Sequence, residues 1–121
     1  MSQRILIVDD EPNIVVSLEY LMKKEGFEIA VATDGESALR LAAEFLPDLV
    51  LLDVMMPKKS GFEVCEAIRA DPKLGAVKII MLTAKGRETE FAKGMALGAD
   101  AYITKPFSTK DLVRQIKSLL A

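Results

Sequence analysis

Residues 49–57 have the sequence LVLLDVMMP, an apolar run that is interrupted by a single carboxylate, Asp53. A carboxylate buried without a partner is costly, so buried carboxylates are usually paired with a cation, a metal or a proton. The uninterrupted apolar residues 49–52 are typical of a strand in a parallel sheet that helices cover on both faces. This stretch therefore predicts a buried strand, and it indicates that other parts of the chain supply partners for Asp53.

Short apolar runs and segments of helical periodicity alternate along the whole chain. The apolar runs predict strands over residues 5–8, 29–32, 49–52, 77–82 and 101–104. Apolar residues at helical spacing predict helices over residues 13–25, 36–46, 62–70, 88–97 and 109–120. We expect Gly26 to cap the end of the first helix, Pro47 to stop the second, and Ser108 to cap the start of the last.

This alternation of strands and helices favours an α/β fold. Strands that are almost entirely apolar belong in a parallel sheet, and right-handed crossovers then place helices on both of its faces. We predict a single doubly wound, five-stranded parallel sheet. No low-complexity stretch, repeat or linker divides the 121 residues, so residues 1–121 are expected to form one domain.

Composition excludes several classes of function. The formal net charge is −2, which argues against a nucleic-acid-binding surface because such surfaces carry a basic excess. No apolar run approaches the roughly 20 residues of a membrane span, and the N-terminal apolar stretch is too short for a signal peptide. The single cysteine, Cys65, fits a reducing compartment. We expect a soluble cytoplasmic protein.

The chain contains no histidine. Histidine is the usual proton carrier near neutral pH, so nucleophilic catalysis by Ser-His or Cys-His pairs is excluded. Chemistry in this chain has to use carboxylates, lysine, hydroxyl groups or a hard metal ion.

Polar side chains follow four of the five predicted strands, which is where binding sites form in open parallel sheets. These groups are Asp9-Asp10-Glu11, Asp53, Thr83-Ala84 and Lys105-Pro106. The second strand is followed by Thr33-Asp34-Gly35, which is typical of an ordinary turn. The sequence therefore predicts one shared site at the carboxyl edge of the sheet.

The residue types at this edge point to phosphoryl transfer. Asp9, Asp10 and Asp53 would repel one another, and a divalent cation relieves that repulsion. Ligation by oxygen atoms alone suits Mg²⁺, with Mn²⁺ as an alternative. Lys105 adds a positive charge and Thr83 a hydroxyl donor, and both can stabilise phosphoryl oxygens. Asp53 is then the predicted nucleophile, which would become an aspartyl phosphate.

The segments ILIVDDE, LVLLDVMMP, IIMLTA and AYITKPF occur in this order over residues 5–107. Together they resemble the receiver domain of bacterial two-component response regulators. The resemblance implies a flavodoxin-like (βα)5 fold with strand order 2-1-3-4-5, since sequence periodicity carries no information on strand order.

The resemblance also implies roles for individual residues. Asp53 is expected to be the phosphoacceptor, Asp10 a direct Mg²⁺ ligand, Asp9 a ligand through water, and Met55 a ligand through its backbone carbonyl. We expect no cofactor other than the metal ion.

Three further residues gain expected roles from the same resemblance. Thr83 and Lys105 are expected to hold the phosphoryl group, and Tyr102 resembles the aromatic switch residue. The phosphoryl group would draw Thr83 inward and leave space that Tyr102 fills. The Lys105-Pro106 peptide bond is expected to be cis.

A chain without histidine needs an external phosphoryl donor. By resemblance this donor is a phosphohistidine on a sensor histidine kinase or a phosphotransfer protein, with acetyl phosphate as an alternative. The signal would pass to a downstream effector protein or a fused output domain through residues 87–97, residues 101–104 and the last helix.

This expected output surface departs from one branch of the family, which joins two copies through opposite charges. Phe91, Ala101 and Gln115 stand where such charges are expected, although three charged residues remain, namely Lys93, Asp100 and Asp111. We therefore expect Phe91 to make an apolar contact with a partner protein or with a second copy in a homodimer.

A second departure lies beside the expected phosphoryl group. Met55 and Lys85 each lie two residues beyond a site residue, Asp53 and Thr83 respectively. We predict that substitutions at these two positions change dephosphorylation more than phosphorylation.

Three other functions are compatible with parts of the pattern. A Mg²⁺-dependent aspartyl-phosphate phosphatase would usually carry a second aspartate where Met55 stands, so we do not expect a multiple-turnover enzyme. A flavodoxin-like cofactor module would often carry a glycine-rich loop after the first strand, which is missing. A degenerate receiver would lack part of the site, and this chain has all of it.

Each site residue also has a purely structural interpretation. The aspartates at 9 and 10 can cap a helix and Asp53 can belong to a turn, whereas Thr83 suits a strand end. Lys105 could be a solvated surface lysine, and Tyr102 could be an ordinary edge-strand aromatic.

Overall fold

The computed structural model describes residues 3–56, 60–84 and 89–121. Strands and helices alternate along the chain, as the sequence predicts. Their bounds are β1 Arg4–Val8, α1 Pro12–Lys24, β2 Glu28–Ala32, α2 Gly35–Phe45, β3 Leu49–Asp53, α3 Gly61–Ala70, β4 Lys78–Ala84, α4 Thr89–Ala96, β5 Ala101–Lys105 and α5 Thr109–Leu120.

The strands form one parallel sheet in the order β2-β1-β3-β4-β5. This arrangement confirms the predicted α/β class and the strand order that the resemblance implies. The order reverses at β1, which pairs with β2 on one side and with β3 on the other. Such a reversal opens a crevice at the carboxyl ends of the two central strands, β1 and β3.

The core lies in two layers, one on each face of the sheet. On one face, apolar side chains of the sheet pack against α2 and α3, including Ala38, Ala42, Phe62, Cys65 and Ile68. On the other face they pack against α1 and α5, including Leu18, Met22, Leu112 and Ile116. Residues 49–52 of β3 serve both layers and are completely buried, which explains why this strand is apolar at every position before Asp53.

The helix ends lie within one residue of their predicted positions. Gly26 follows α1 at a φ of +90°, a conformation that glycine adopts without steric cost. The Ser108 hydroxyl accepts a hydrogen bond from the Asp111 N–H at 3.3 Å and caps α5. Helix α2 ends at Phe45, one residue before the predicted end, because Leu46 adopts a left-handed φ of 53° before Pro47.

Three of the polar residues that were expected to follow strands belong to the strands themselves. Asp53 and Lys105 are the final residues of β3 and β5, and Thr83 is the penultimate residue of β4. In these three strands the backbone pairing continues past the apolar run, so the sequence places their ends slightly too early, whereas β1 ends at Val8 as predicted. In the described part of the chain, no helix is long and apolar enough to cross a membrane.

Candidate functional site

Three carboxylates converge at the crevice between β1 and β3. Asp9 and Asp10 directly follow β1, and Asp53 ends the neighbouring strand β3. One carboxylate oxygen from each residue lies within 4.8 Å of those of the other two. Asp9 is fully buried and Asp53 is 5% exposed, whereas Asp10 is exposed to solvent. The structure thus brings together the three aspartates that the sequence assigns to one site.

Lys105 brings the positive charge to this cluster. Its ammonium Nζ lies 3.0 Å from Asp9 Oδ2, 3.4 Å from Glu11 Oε1 and 3.5 Å from Asp53 Oδ1. The Lys105 side chain is largely buried, so these contacts are weakly screened by water. The bond that joins Lys105 to Pro106 is cis.

Glu11 is a member of the cluster to which the sequence analysis assigns no role of its own. Besides meeting Lys105, Glu11 donates its backbone N–H to Asp9 Oδ1 at 3.0 Å. Its place directly after Asp9-Asp10 was a visible signal, but only the folded chain shows that its side chain reaches the lysine.

Burial raises the pKa of Asp53 from 3.8 to about 6, and repulsion from Asp9 adds to this effect. The charge of Lys105 and the backbone N–H of Met55 oppose the increase, while Asp10 contributes to it. Burial alone would lower the pKa of Lys105, but its hydrogen bond to Asp9 and the charge of Asp53 outweigh burial and raise that pKa. Lys105 therefore stays protonated beside an electrostatically crowded carboxylate.

The donor set fits a hard divalent cation. Four carboxylates, including that of Glu11, face a single ammonium group among the described residues at this edge. The three aspartate oxygens are close enough to share one ion, and oxygen-only ligation suits Mg²⁺. Excess negative charge that raises the pKa of Asp53 is also what a cation would relieve.

The backbone after Asp53 is held close to the start of α3. Met55 donates its N–H to Asp53 Oδ1 at 3.4 Å, and its side chain is 55% exposed beside the site. Gly61 donates its N–H to the Val54 carbonyl at 2.8 Å. A Cβ at Gly61 would lie only 2.8 Å from Val54 Cα, so a glycine is required there. Sequence reasoning did not identify this requirement.

Thr83 lies on β4 at the same edge of the sheet. The residue opposite Asp53 in the ladder is Leu82, so Thr83 is one position farther along β4. Its side chain is buried, and Oγ1 has no hydrogen-bond partner among the described residues. A buried hydroxyl without a partner is destabilising, so a hydrogen bond to an acceptor that enters the site would be favourable.

Tyr102 lies near the start of β5, where it pairs with Met81. Its ring is partly buried and meets the ring of Phe91 edge-on, at a centroid distance of 5.5 Å. Its hydroxyl oxygen is buried and has no hydrogen-bond partner within residues 3–56, 60–84 and 89–121. The structure thus places Tyr102 between the sheet and α4.

Apolar groups are exposed on α4 near this tyrosine. Phe91 and Met95 are 49% and 37% exposed, and they lie one helical turn apart. Ala101 is half-buried at the start of β5, and Asp111 of α5 pairs with Arg114 at 3.1 Å. Lys85 and residues 87–88 of the expected output surface lie outside the described residues.

Two charged residues expected near this surface make contacts within the domain. Lys93 places its ammonium 4.5 Å from the centroid of the Phe62 ring in α3. Asp100 accepts hydrogen bonds from the Arg69 guanidinium at 2.7 Å and from the Ile79 N–H at 2.8 Å. Their contacts join α4 and β5 to neighbouring elements.

Comparison with known proteins agrees with this geometry. A family model described as the response regulator receiver domain matches residues 5–117. The chain is 44% identical over 120 residues to the alkaline phosphatase synthesis transcriptional regulatory protein PhoP of Bacillus subtilis. That match covers 99% of this chain and 49% of PhoP, so the chain spans about half the length of this curated relative.

Solved structures with the same fold include receivers of known type. The chemotaxis response regulator CheY4 of Vibrio cholerae matches with a TM-score of 0.92 at 29% identity, over 98% of this chain and 99% of that chain. A BeF₃-activated DrrB receiver domain matches with a TM-score of 0.88 at 32% identity, over 99% of this chain and 98% of that chain. The chain belongs to the receiver domain family of two-component response regulators.

Proposed function

We propose that this domain is a phosphorylation-activated switch in which Asp53 accepts a phosphoryl group in a Mg²⁺-dependent reaction. The observation that carries the proposal is the position of Lys105, whose ammonium lies 3.5 Å from Asp53 and 3.0 Å from Asp9. A nucleophilic carboxylate, a fixed cation and clustered metal-binding oxygens are the components that phosphoryl transfer requires.

In the proposed reaction, an Asp53 carboxylate oxygen forms a bond to phosphorus. The bond between phosphorus and the leaving group breaks, and the leaving group keeps the electron pair. With a phosphohistidine donor this is the P–N bond, and the released imidazole takes up a proton. Asp53 would react as the ionised carboxylate, and a bound cation would favour that form by opposing the burial and the Asp9 charge that raise its pKa.

Asp10 and Asp53 would hold the metal ion directly, with Asp9 through water and Met55 through its backbone carbonyl. Bound Mg²⁺, or Mn²⁺ in its place, would supply positive charge to the phosphoryl oxygens. Lys105 and the Thr83 hydroxyl would each contact one phosphoryl oxygen. The unpaired state of Thr83 Oγ1 among the described residues supports this role.

The proposed donor is a phosphohistidine on a sensor histidine kinase or a phosphotransfer protein. Family membership supports such a partner, and residues 1–121 contain no histidine that could donate the phosphoryl group. Acetyl phosphate is a suitable small-molecule substitute. We propose the cytoplasm as the site of action, where a single buried cysteine such as Cys65 stays reduced.

The proposed output surface includes Phe91 and Lys93 on α4, Ala101 on β5 and Asp111 on α5. Its centre is apolar, because Phe91 is half-exposed and Ala101 replaces an expected charge. We propose that phosphorylation remodels this surface for an effector protein, a fused output domain or a second copy of the chain. A net charge of −2 argues against a nucleic-acid-binding role for the domain itself.

We further propose that residues 1–121 act as one signalling domain and do not turn over external phosphomonoesters. The family match over residues 5–117 supports one domain. The position two residues after Asp53 holds Met55, which cannot act as a second acid or base. Sustained release of phosphate from a phosphomonoester in stoichiometric excess would contradict this part of the proposal.

Intact-mass measurement after incubation with acetyl phosphate tests the central reaction. We expect the native chain to gain the mass of one phosphoryl group when Mg²⁺ is present and to gain none in excess EDTA. Asp53→Ala should gain no mass, whereas Asp71→Asn, a change at the end of α3, should behave like the native chain. Equal labelling of the native chain and Asp53→Ala would overturn the assignment.

A further inference from the structure

We propose that Gly94, in the interior of α4, is a positioning residue that determines how readily the Tyr102 ring occupies its place beneath that helix. The inference rests on the proposed switch function, and it assigns a role to a residue outside the phosphorylation site.

Glycine is unexpected at this position on helical grounds. Gly94 lies within α4, which spans Thr89–Ala96, and glycine is among the poorest helix formers. The positive-φ glycines of the described chain are Gly26 and Gly98, so the backbone of Gly94 does not require glycine. Packing has to explain the missing side chain.

The packing around Gly94 gives that explanation. A Cβ at this position would lie 2.9 Å from Met81 Sδ, 3.2 Å from Tyr102 Cε2 and 3.4 Å from Tyr102 Cδ2. Met81 is completely buried, so its sulfur has little room to move away. A methyl group at position 94 would therefore be crowded by the Met81 sulfur and would press the Tyr102 ring away from α4 by a few tenths of an ångström.

Phe91 forms a second contact between α4 and the Tyr102 ring, beside Gly94. It lies one helical turn before Gly94 and meets Tyr102 edge-on, with an interplanar angle of 71°. The described contacts of Tyr102 with α4 are therefore packing contacts, because its hydroxyl has no hydrogen-bond partner among the described residues. The size of the side chains at positions 94 and 91 thus determines whether the Tyr102 ring can pack beneath α4.

The proposed switch would couple the position of Tyr102 to the phosphorylation site, which makes this packing testable. If the ring position beneath α4 favours an occupied site, then an occupied site favours that ring position by the same factor. Gly94→Ala disfavours this ring position, and should therefore weaken binding of a phosphoryl mimic at Asp53. The effect must disappear when the ring itself is removed.

The experiment is a double-mutant cycle with beryllofluoride and Mg²⁺ as the probe. Beryllofluoride affinity is measured from amide NMR spectra for the native chain, Gly94→Ala, Tyr102→Ala and the double variant. We expect Gly94→Ala to lower the affinity of the native chain about fivefold or more, and to change the affinity of Tyr102→Ala by less than about twofold. Gly75→Ala is the matched control, since the nearest atom to a Cβ there is the Asp71 carbonyl oxygen at 4.0 Å.

A second measurement does not depend on the probe. In a Tyr20→Phe background Tyr102 is the only tyrosine, and the chain has no tryptophan. Gly94→Ala should increase quenching of its fluorescence by acrylamide in the unliganded protein. If Gly94→Ala fails to fold, Phe91→Leu replaces it in both measurements. This change weakens the packing of the Tyr102 ring against α4 without adding volume. Its effect should also depend on the presence of Tyr102.

The outcomes separate the inference from the function on which it rests. Absence of beryllofluoride binding by the native chain would contradict the proposed function. Native binding with an unchanged affinity in Gly94→Ala would overturn the role of Gly94. An equal loss of affinity with and without the Tyr102 ring would also overturn it, because the glycine would then act only on general stability.

Discussion

At the scale of single residues, opposing electrostatic effects set the pKa of Asp53. Burial and the neighbouring charge of Asp9 favour its protonated form, while Lys105 and the Met55 N–H favour the carboxylate. The former pair prevails, so the ionised carboxylate costs free energy in the folded chain. The same crowding of negative charge around Asp53 would favour the binding of a cation.

Replacement of Asp53 by Asn should stabilise the domain at neutral pH in the absence of divalent metal. The folded chain binds the Asp53 proton more tightly than the unfolded chain, so stability falls as pH rises from 3.8 to about 6. Asp53→Asn removes this loss and should raise the free energy of unfolding by about 1–3 kcal/mol at pH 8. The gain should disappear near pH 4.

Urea unfolding in EDTA across this pH range measures the effect. Asp71→Asn serves as the control for a general loss of negative charge. A variant of Asp53 that is less stable than the native chain at pH 8, or a gain that does not depend on pH, would contradict the electrostatic account.

Lys105→Met should separate metal binding from phosphoryl transfer. Loss of the ammonium removes a cation that competes with metal for Asp9 and Asp53, so Mg²⁺ should bind about threefold tighter or more. The same change removes a charge from the phosphoryl oxygens and should slow labelling by acetyl phosphate at least about tenfold.

Calorimetric titration with Mg²⁺ and timed intact-mass measurements give the two quantities for Lys105→Met. Lys110→Met, an exposed change in α5, should leave both unchanged. Parallel losses in metal affinity and labelling rate would show that Lys105 supports the metal site and does not oppose it.

At the scale of elements, the site depends on how closely β3 and α3 approach each other. Asp53 ends the strand, and Gly61 begins the helix after a connection that includes undescribed residues 57–59. The contact between Gly61 and the backbone of Val54 leaves no room for a side chain. Ser60 strengthens the helix start through a capping box with Glu63.

Gly61→Ala should therefore destabilise the domain by about 1–3 kcal/mol, the usual cost of forcing extra volume into a packed site. The displaced backbone should also slow phosphorylation at Asp53. Gly75→Ala has open surroundings and should change stability by less than about 0.5 kcal/mol. Thermal unfolding of both variants checks this, and similar effects of the two changes would contradict the packing argument.

The element pattern also shows where sequence reasoning succeeds. An apolar run predicts each of the described strands, because the sheet packs against helices and its strands therefore need apolar side chains. The exact strand ends are harder to locate, since Asp53, Thr83 and Lys105 are polar but still belong to the backbone ladder. The capping box at Ser60 has a recognisable Ser-x-x-Glu spacing, and it could have been predicted.

At the scale of the whole molecule, the sequence predicts the site better than its surroundings. Asp9, Asp10, Asp53 and Lys105 meet because strand ends of a parallel sheet share one edge. The part played by Glu11 and the packing of Gly94 under α4 could not be predicted, because they depend on distances between elements that periodicity does not encode. Strand order likewise came from family resemblance.

The proposed output surface on α4, β5 and α5 yields a prediction at this scale. Phe91→Glu places a charge at the exposed aromatic of α4 and should reduce phosphorylation-dependent association about tenfold or more, since buried charges are costly at interfaces. Sedimentation of the chain with and without beryllofluoride, alone and with a candidate effector, measures this association. Val16→Glu, at a 65% exposed site on α1, is the control.

Phe91→Glu should retain the native fold, because Phe91 is 49% exposed, although the variant loses the ring contact with Tyr102. Unchanged self-association and unchanged effector binding in this variant would rule out the proposed surface.

The chemical identity of the modified side chain tests the central claim most directly. After incubation with acetyl phosphate and Mg²⁺, borohydride reduction converts an aspartyl phosphate to homoserine, which peptide mass spectrometry then locates. We expect homoserine at position 53 alone, and none in samples prepared with EDTA or from Lys105→Met at short times. Homoserine at a different aspartate, or an unmodified position 53 in a chain that has gained phosphoryl mass, would contradict the account.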